Sequence, residues 1–264
     1  MKMGFIGCGN MATAMIQGIV KKGAASPGEV MATAKSEATR KKIREELGIL
    51  LGENNSQAAA FADILFLAVK PRYYEEVIRE IRDSVREETL VVSIAPGKTL
   101  EWLEEQFEKP VKLIRAMPNT PAMVGEGMTG LCPGRYVTEE DLERVRIVCG
   151  SFGLARQVTE DLMDVVTSVS GSSPAYVFLL IEAMADGAVA DGMPRDAAYE
   201  FAAQAVLGSA RMVLETGLHP GVLKDMVCSP GGTTMEAVRV LEEKGLRSSI
   251  IEAMKACVRK SRGM

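Results

Sequence analysis

Over the first 158 residues, short apolar runs alternate with longer stretches in which apolar side chains recur every third or fourth position. Residues 4–6, 29–34, 64–68, 90–94 and 112–116 read as strands, and 10–22, 35–47 and 73–82 as amphipathic helices between them. Two further strands are expected at 127–132 and 154–158, with a helix over 139–151 between them. Alternation of this kind builds a largely parallel, doubly wound sheet with helices on both faces. From Glu160 the strand signals stop. Ser173-Pro174 opens a helix that Gly192 closes, and a second runs from Pro194 to about Thr216. Shorter helices are expected at 220–227, 233–244 and 247–259. The pattern therefore predicts an α/β domain over 1–158 and an all-helical domain over 159–264, with no flexible linker between them.

Composition narrows the function. Of the 264 residues, 47% are hydrophobic and 25% charged, the balance of a globular protein. The longest apolar stretch, 174–190, is interrupted by Glu182 and Asp186, so no membrane association is expected. Net charge is −4 and no basic run exceeds Arg40-Lys41-Lys42, which argues against a nucleic-acid partner and for a small-molecule one. The five cysteines contain no C-x-x-C pair, so neither a disulfide framework nor a metal site is expected. Together with the absence of a signal-like segment at the N-terminus, this points to the cytoplasm. The single histidine, His219, lies in a Gly/Pro turn and reads as a solvated helix-start residue.

The chemistry concentrates in loops. Gly7-Cys8-Gly9-Asn10-Met11-Ala12 follows the first strand and opens the first helix, which is the context of a dinucleotide-binding fingerprint. Gly7 makes the tight turn, Gly9 lets the backbone approach a pyrophosphate and Ala12 permits close helix packing, with the helix N-terminus facing the phosphates. After the second strand stand Lys35 and Ser36, with Arg40 a turn later. That chemistry suits the 2′-phosphate of NADP, although Glu37 lies close by. Ala68-Val69-Lys70-Pro71 and Ile94-Ala95-Pro96-Gly97 follow strands and either flank a cofactor or form structural turns. Met117-Pro118-Asn119-Thr120-Pro121 is a rigid loop that either presents polar groups near a nicotinamide or is a stiff crossover. In the helical half, Cys228-Ser229-Pro230-Gly231-Gly232-Thr233-Thr234 opens a helix with free N–H groups suited to a small anion. Ser170-Gly171-Ser172-Ser173-Pro174 is either a second such loop or a simple helix cap.

Taken in order, these motifs, with Leu223-Lys224-Asp225 ahead of the Pro-Gly-Gly-Thr-Thr stretch, resemble the pyrroline-5-carboxylate reductases over nearly the whole chain. The resemblance implies a Rossmann domain followed by a helical dimerisation domain. It implies reduction of the cyclic imine Δ1-pyrroline-5-carboxylate to L-proline, the last step of proline biosynthesis, with NADPH or NADH. It also implies an interlocked homodimer and a larger ring of dimers, which agrees with apolar helix positions such as Val177, Leu180, Ile181 and Met184. Carried over, Ile6, Gly7, Cys8, Gly9, Asn10, Met11, Lys35, Ser36, Asn55, Val69, Lys70 and Pro96 line the cofactor, and Ala68 and Pro71 share that stretch. Glu160, Thr233 and Thr234 face the substrate. The backbone N–H groups around Gly231, Gly232, Thr233 and Thr234 hold the substrate carboxylate, Ser229 of the same loop is counted with the substrate contacts, and the Thr234 hydroxyl partners the ring nitrogen as the catalytic contact. Ser173 stands where the family commonly has glycine, and Met226 where some members have asparagine. Two rivals remain at this point: a 3-hydroxyacid dehydrogenase using Lys224 as acid or base, and a dinucleotide-binding regulator without catalysis.

Overall fold

The computed structural model describes residues 1–263 and places eight strands in one sheet. They are β1 (Met3–Ile6), β2 (Val30–Thr33), β3 (Leu50–Leu51), β4 (Ile64–Leu67), β5 (Leu90–Ser93), β6 (Lys112–Met117), β7 (Gly127–Pro133) and β8 (Gly153–Gln157). The order is β3-β2-β1-β4-β5-β6-β7-β8, and every neighbouring pair is parallel except the antiparallel β6 and β7. The chain thus reverses direction across the sheet between β1 and β4, the crevice where doubly wound sheets bind ligands.

All residues of β1, β2, β4 and β5 are buried, as expected of parallel strands covered on both faces rather than alternating ones. Phe5 and Phe66 stack across β1 and β4 at 4.6 Å between ring centroids. Helix α1 (Asn10–Lys21) buries Ala12, Met15, Ile16 and Ile19 on one face. The other face is covered by α3 (Asn55–Phe61), α4 (Tyr74–Ile81) and α5 (Leu100–Phe107), the last through Leu103 and Phe107. Helices α2 (Glu37–Glu45) and α6 (Glu139–Gly150) complete the covering layers. Tyr74 ties β4 to β5: its hydroxyl donates to the Leu67 carbonyl at 2.5 Å and accepts from Ser93 Oγ at 3.3 Å.

Three sequence expectations are corrected here. The helix expected from Lys35 starts at Glu37, because the Ser36 side chain caps it by accepting from Thr39 N at 3.2 Å, which leaves Lys35 and Ser36 in the loop. The strand expected from Glu29 starts at Val30. Glu29 closes a short turn instead, where its carboxylate pairs with the N-terminal ammonium at 2.8 Å. Finally, β3, α3 and α5 had no expected counterpart, since a two-residue edge strand and helices of seven and eight residues carry too little periodic signal.

After β8 the described chain is helical: α7 (Met163–Val166), a π-helical turn Thr167–Gly171, α8 (Ser173–Ala190), α9 (Arg195–Thr216), α10 (Pro220–Val227), α11 (Thr233–Glu243) and α12 (Leu246–Ser261). Two compact units result, one of Met1–Ser172 joined by residues 257–263, the other of Ser173–Ala256. Within the first, Ser261 Oγ donates to Asp164 at 2.6 Å and holds the returning segment. Within the second, only Ala185, Ala198 and Ala202 are buried hydrophobics, while Phe178, Leu179, Phe201 and Leu214 are 63–71% exposed. The helical stretch Glu160–Ala190 is long and apolar enough by composition to cross a membrane, a length the expectation for 174–190 alone did not foresee. All five cysteines are free.

Candidate functional site

The chain leaves β1 through Gly7, whose φ of +90° is the conformation glycine adopts without strain. A Cβ there would stand 2.8 Å from the Ala68 carbonyl oxygen, so the turn and the loop after β4 touch backbone to backbone. Gly9 is the N-cap of α1, and no side chain caps the helix. Its first-turn N–H groups are therefore free of a side-chain partner, and a Cβ on Gly9 would meet no atom within 4 Å. Both glycines border a cavity of about 790 Å³. An uncapped helix start facing open space, approached by bare backbone, fits the pyrophosphate of a dinucleotide.

Of the residues assigned to the cofactor, Gly7, Cys8, Gly9, Lys35, Ser36, Asn55, Ala68, Val69 and Lys70 line that cavity. Ile6 is wholly buried beneath it, and Asn10, Met11, Pro71 and Pro96 lie outside its lining. The cavity also collects residues not assigned from the sequence, among them Thr33, Glu53, Arg72, Tyr73 and Glu80. Asn55 joins two of these: Thr33 Oγ1 donates to its Oδ1 at 2.6 Å, and its Nδ2 donates to Glu80 at 2.7 Å. The missed residues come from the end of β2 (Thr33), the loop before α3 (Glu53), the turn ahead of α4 (Arg72 and Tyr73) and α4 itself (Glu80), positions that strand order and not a local motif brings to the cavity. Burial raises the pKa of the Cys8 thiol, against weaker opposing pulls from Thr13 and Lys42, so it stays neutral at the cavity edge.

Glu160 is held inside the first unit. Its Oε1 accepts from Leu100 N, at the start of α5, at 2.7 Å and from Arg115 Nη1 at 3.2 Å. The Arg115 side chain is 5% exposed and its Nε has no partner among the described residues, so Glu160 is the counter-charge of a buried guanidinium. Asn119, in the rigid loop after β6, spends both polar groups on the fold: Nδ2 donates to Ser170 O at 2.9 Å, and Oδ1 accepts from Met128 N at 2.8 Å. The loop is thus a brace between β7 and the π-helical turn.

In the helical unit, Gly231 turns with φ +70° and Gly232 is the N-cap of α11, again without a side-chain cap. Thr233 and Thr234 form the first turn of this eleven-residue helix. Gly232 N donates to Ser229 O at 3.0 Å, which closes the loop. Lys224 is bonded to Asp225 Oδ1 at 2.6 Å, and that hydrogen bond raises its pKa, the wrong direction for a general base. His219 caps α10, its Nδ1 accepting from Gly221 N at 3.0 Å.

Known proteins bear on both units. Residues 160–264 match the family model described as pyrroline-5-carboxylate reductase dimerisation, and residues 2–97 match the model described as NADP oxidoreductase coenzyme F420-dependent. The chain is 53% identical over 260 residues to the pyrroline-5-carboxylate reductase of Escherichia coli, covering 98% of this chain and 97% of that protein. Its fold is similar to the structure of a pyrroline-5-carboxylate reductase from Coxiella burnetii, with a TM-score of 0.93, 36% identity and coverage of 99% and 97%. It is likewise similar to a Plasmodium falciparum pyrroline carboxylate reductase with NADP bound, at a TM-score of 0.90, 30% identity and the same coverage. A relative 53% identical along essentially its whole length identifies the family: the chain belongs to the pyrroline-5-carboxylate reductases.

Proposed function

We propose that this protein reduces Δ1-pyrroline-5-carboxylate to L-proline, the final step of proline biosynthesis. What carries the reading is the whole-length identity of 53% to a reductase of that name, joined to a glycine cradle built for a dinucleotide. NAD(P)H, when bound, supplies the hydride that the imine carbon receives. The chain's own contribution is to hold the partners. Gly7, Gly9 and the free N–H groups of α1 fix the pyrophosphate, and Ala68, Val69 and Lys70 wall the same cavity. Lys35 and Ser36 take the adenosine end, where the ammonium favours a 2′-phosphate. The N–H groups around Gly231, Gly232 and Thr233 take the substrate carboxylate, with Ser229 closing their loop. Thr234 places its hydroxyl at the ring nitrogen.

No strong acid is required of the protein, because a cyclic imine is protonated in water near neutral pH and the iminium accepts hydride without further activation. Orientation then supplies most of the acceleration. Glu160, also assigned to the substrate, is engaged as the counter-charge of Arg115.

A second copy covers the exposed apolar helices, giving a homodimer and, from dimers, a larger ring. The dimerisation model spans the helical stretch that composition alone would allow in a membrane, which favours protein rather than lipid as its cover. Five free cysteines, three of them buried, suit the reducing cytoplasm. The test is to add pyrroline-5-carboxylate to the protein with NADPH, and separately with NADH, following loss of reduced-nicotinamide absorbance and identifying proline by chromatography. Folded protein that binds the dinucleotide and turns over neither mixture overturns the activity. A single-chain mass by light scattering overturns the dimer.

A further inference from the structure

The cavity wall that should read the 2′ position of the adenosine ribose is built from two connections, not one. Lys35 and Arg40 come from the β2 side, and Arg72 and Tyr73 from the β4–α4 side. The Lys35 ammonium lies 4.8 Å over the Tyr73 ring and 3.2 Å from Glu76 Oε1. The Arg72 guanidinium stands 4.8 Å from the same ring, and its Nη2 donates to the Tyr73 hydroxyl at 2.9 Å. One aromatic ring thus holds two cations near each other, and one carboxylate, a turn along α4, offsets them.

Two unlike features need a reason. Gathering Lys35 and Arg72 on one ring costs mutual repulsion that a third, negative partner relieves, and a dianionic phosphate suits that role. Yet Glu76 already occupies it in part. Lys35 and Glu76 are 70% and 65% exposed, so their pair is weak and Lys35 exchanges partners readily. When it does, the Glu76 carboxylate stays close to the incoming phosphate and repels it. A 2′-hydroxyl meets no such penalty.

We propose that Arg72, Tyr73 and Glu76 are specificity-determining residues for the nicotinamide cofactor: Tyr73 holds Lys35 and Arg72 as a cation pair for the 2′-phosphate, and Glu76 weakens that preference so that NADH is accepted as well. This rests on the reading of Lys35 as the residue at the 2′ position. It adds that the balance is set from α4, outside the glycine fingerprint and the loop after β2.

The test is equilibrium binding of NADPH and of NADH to the full-length protein, followed by nicotinamide fluorescence with no substrate present, so that it does not depend on turnover. Glu76→Gln tightens NADPH about three- to tenfold at low salt and changes NADH less than twofold, and the gain shrinks at high ionic strength. Arg72→Met weakens NADPH by a similar factor and spares NADH. Tyr73→Leu lowers the ratio of NADPH to NADH affinity, and Tyr73→Phe, which keeps the ring, restores it. Glu76 and Arg72 are exposed, so these variants fold. Equal changes for both cofactors, or none, overturn the proposal. A Lys35→Met variant that leaves the ratio untouched overturns the reading on which it rests and the proposal with it. A shifted Lys35→Met ratio beside an unshifted Glu76→Gln ratio overturns the proposal alone.

Discussion

Replacing Gly9 with alanine separates cofactor binding from folding. The backbone there has φ −78° and ψ −172°, an extended conformation open to any L-residue, and the new methyl meets no atom within 4 Å. Folding therefore loses nothing, and the stiffer unfolded chain adds about 0.4–1 kcal/mol of stability. At roughly 2–4 °C per kcal/mol for a domain of this size, Tm stays level or rises by about 1–4 °C. The same methyl borders the cavity at the uncapped start of α1, where we place the pyrophosphate and its N–H bonds. Loss of one charge-assisted hydrogen bond costs about 1.5–3 kcal/mol, so NADPH affinity falls roughly 10- to 150-fold. Gly7→Ala is the control with the opposite profile. Its φ of +90° and a Cβ 2.8 Å from the Ala68 carbonyl oxygen cost about 1–3 kcal/mol of strain, and Tm falls together with affinity. Titration calorimetry with NADPH and thermal denaturation by circular dichroism measure both quantities. A Gly9→Ala protein that binds NADPH as the wild type does refutes the placement of the pyrophosphate; one that loses several degrees refutes the packing argument.

Three further outcomes are expected. Thr234→Ala lowers kcat/KM for the imine about 10- to 100-fold, the scale of one positioned hydrogen bond at about 1.4–2.7 kcal/mol, and leaves NADPH affinity alone; an unchanged rate removes Thr234 from the ring nitrogen. Asp141 is buried, which raises its pKa, but hydrogen bonds from Lys112 Nζ at 2.7 Å and from Thr138 prevail and leave it below the ordinary 3.8. Its stabilisation is therefore complete above that value and lost as pH falls through the lower folded value. The urea-denaturation gap between wild type and Asp141→Asn should narrow from pH ~6 to pH ~3, and a constant gap contradicts the assignment. Arg115→Met leaves Glu160 without its counter-charge and costs about 3 kcal/mol, the low end for a broken buried pair because Glu160 keeps some solvent. Adding Glu160→Gln recovers part of that loss, whereas strictly additive losses in urea denaturation show the two residues to be uncoupled.

The Rossmann unit was legible wherever burial on both faces left an unbroken apolar run. Residues 64–67 and 90–93 are strands for that reason, and both lie in the middle of the sheet. Leu50–Leu51 escaped because an edge strand of two residues has no period, and Asn55–Phe61 because its seven residues are held by one capping bond, Gln57 N to Asn54 Oδ1, rather than by an amphipathic stripe. The site followed the same rule. Gly7 stands out because a left-handed turn against the Ala68 backbone excludes a side chain, and Gly9 because its spacing from Gly7 keeps the start of α1 bare toward the cavity. Tyr73 and Arg72 belong to the cavity only because β4 lies beside β1 and the start of α4 faces the loop after β2, a fact of strand order rather than of local sequence.

The helical unit shows the reverse relation. Its elements were read to within a residue or two: residues 220–227 form α10, and the helix expected from Thr233 begins there. What the sequence of one chain does not display is which of its apolar positions face one another, since Phe178, Leu179, Phe201 and Leu214 find no core in their own unit. Large apolar side chains that stay in water add no burial on folding, and three buried alanines offset little of the entropy of ordering a unit of 84 residues, so we attribute its stability to surface buried on assembly. The loop at Gly231–Thr234, where we place the substrate carboxylate, starts a helix in this unit, so on that reading its preorganisation depends on assembly as well as on sequence. A catalytic group strong enough to act alone would not need such support. The site we propose, which orients an already electrophilic iminium, does, because misplacement of about 1 Å can cost on the order of a hundredfold in rate.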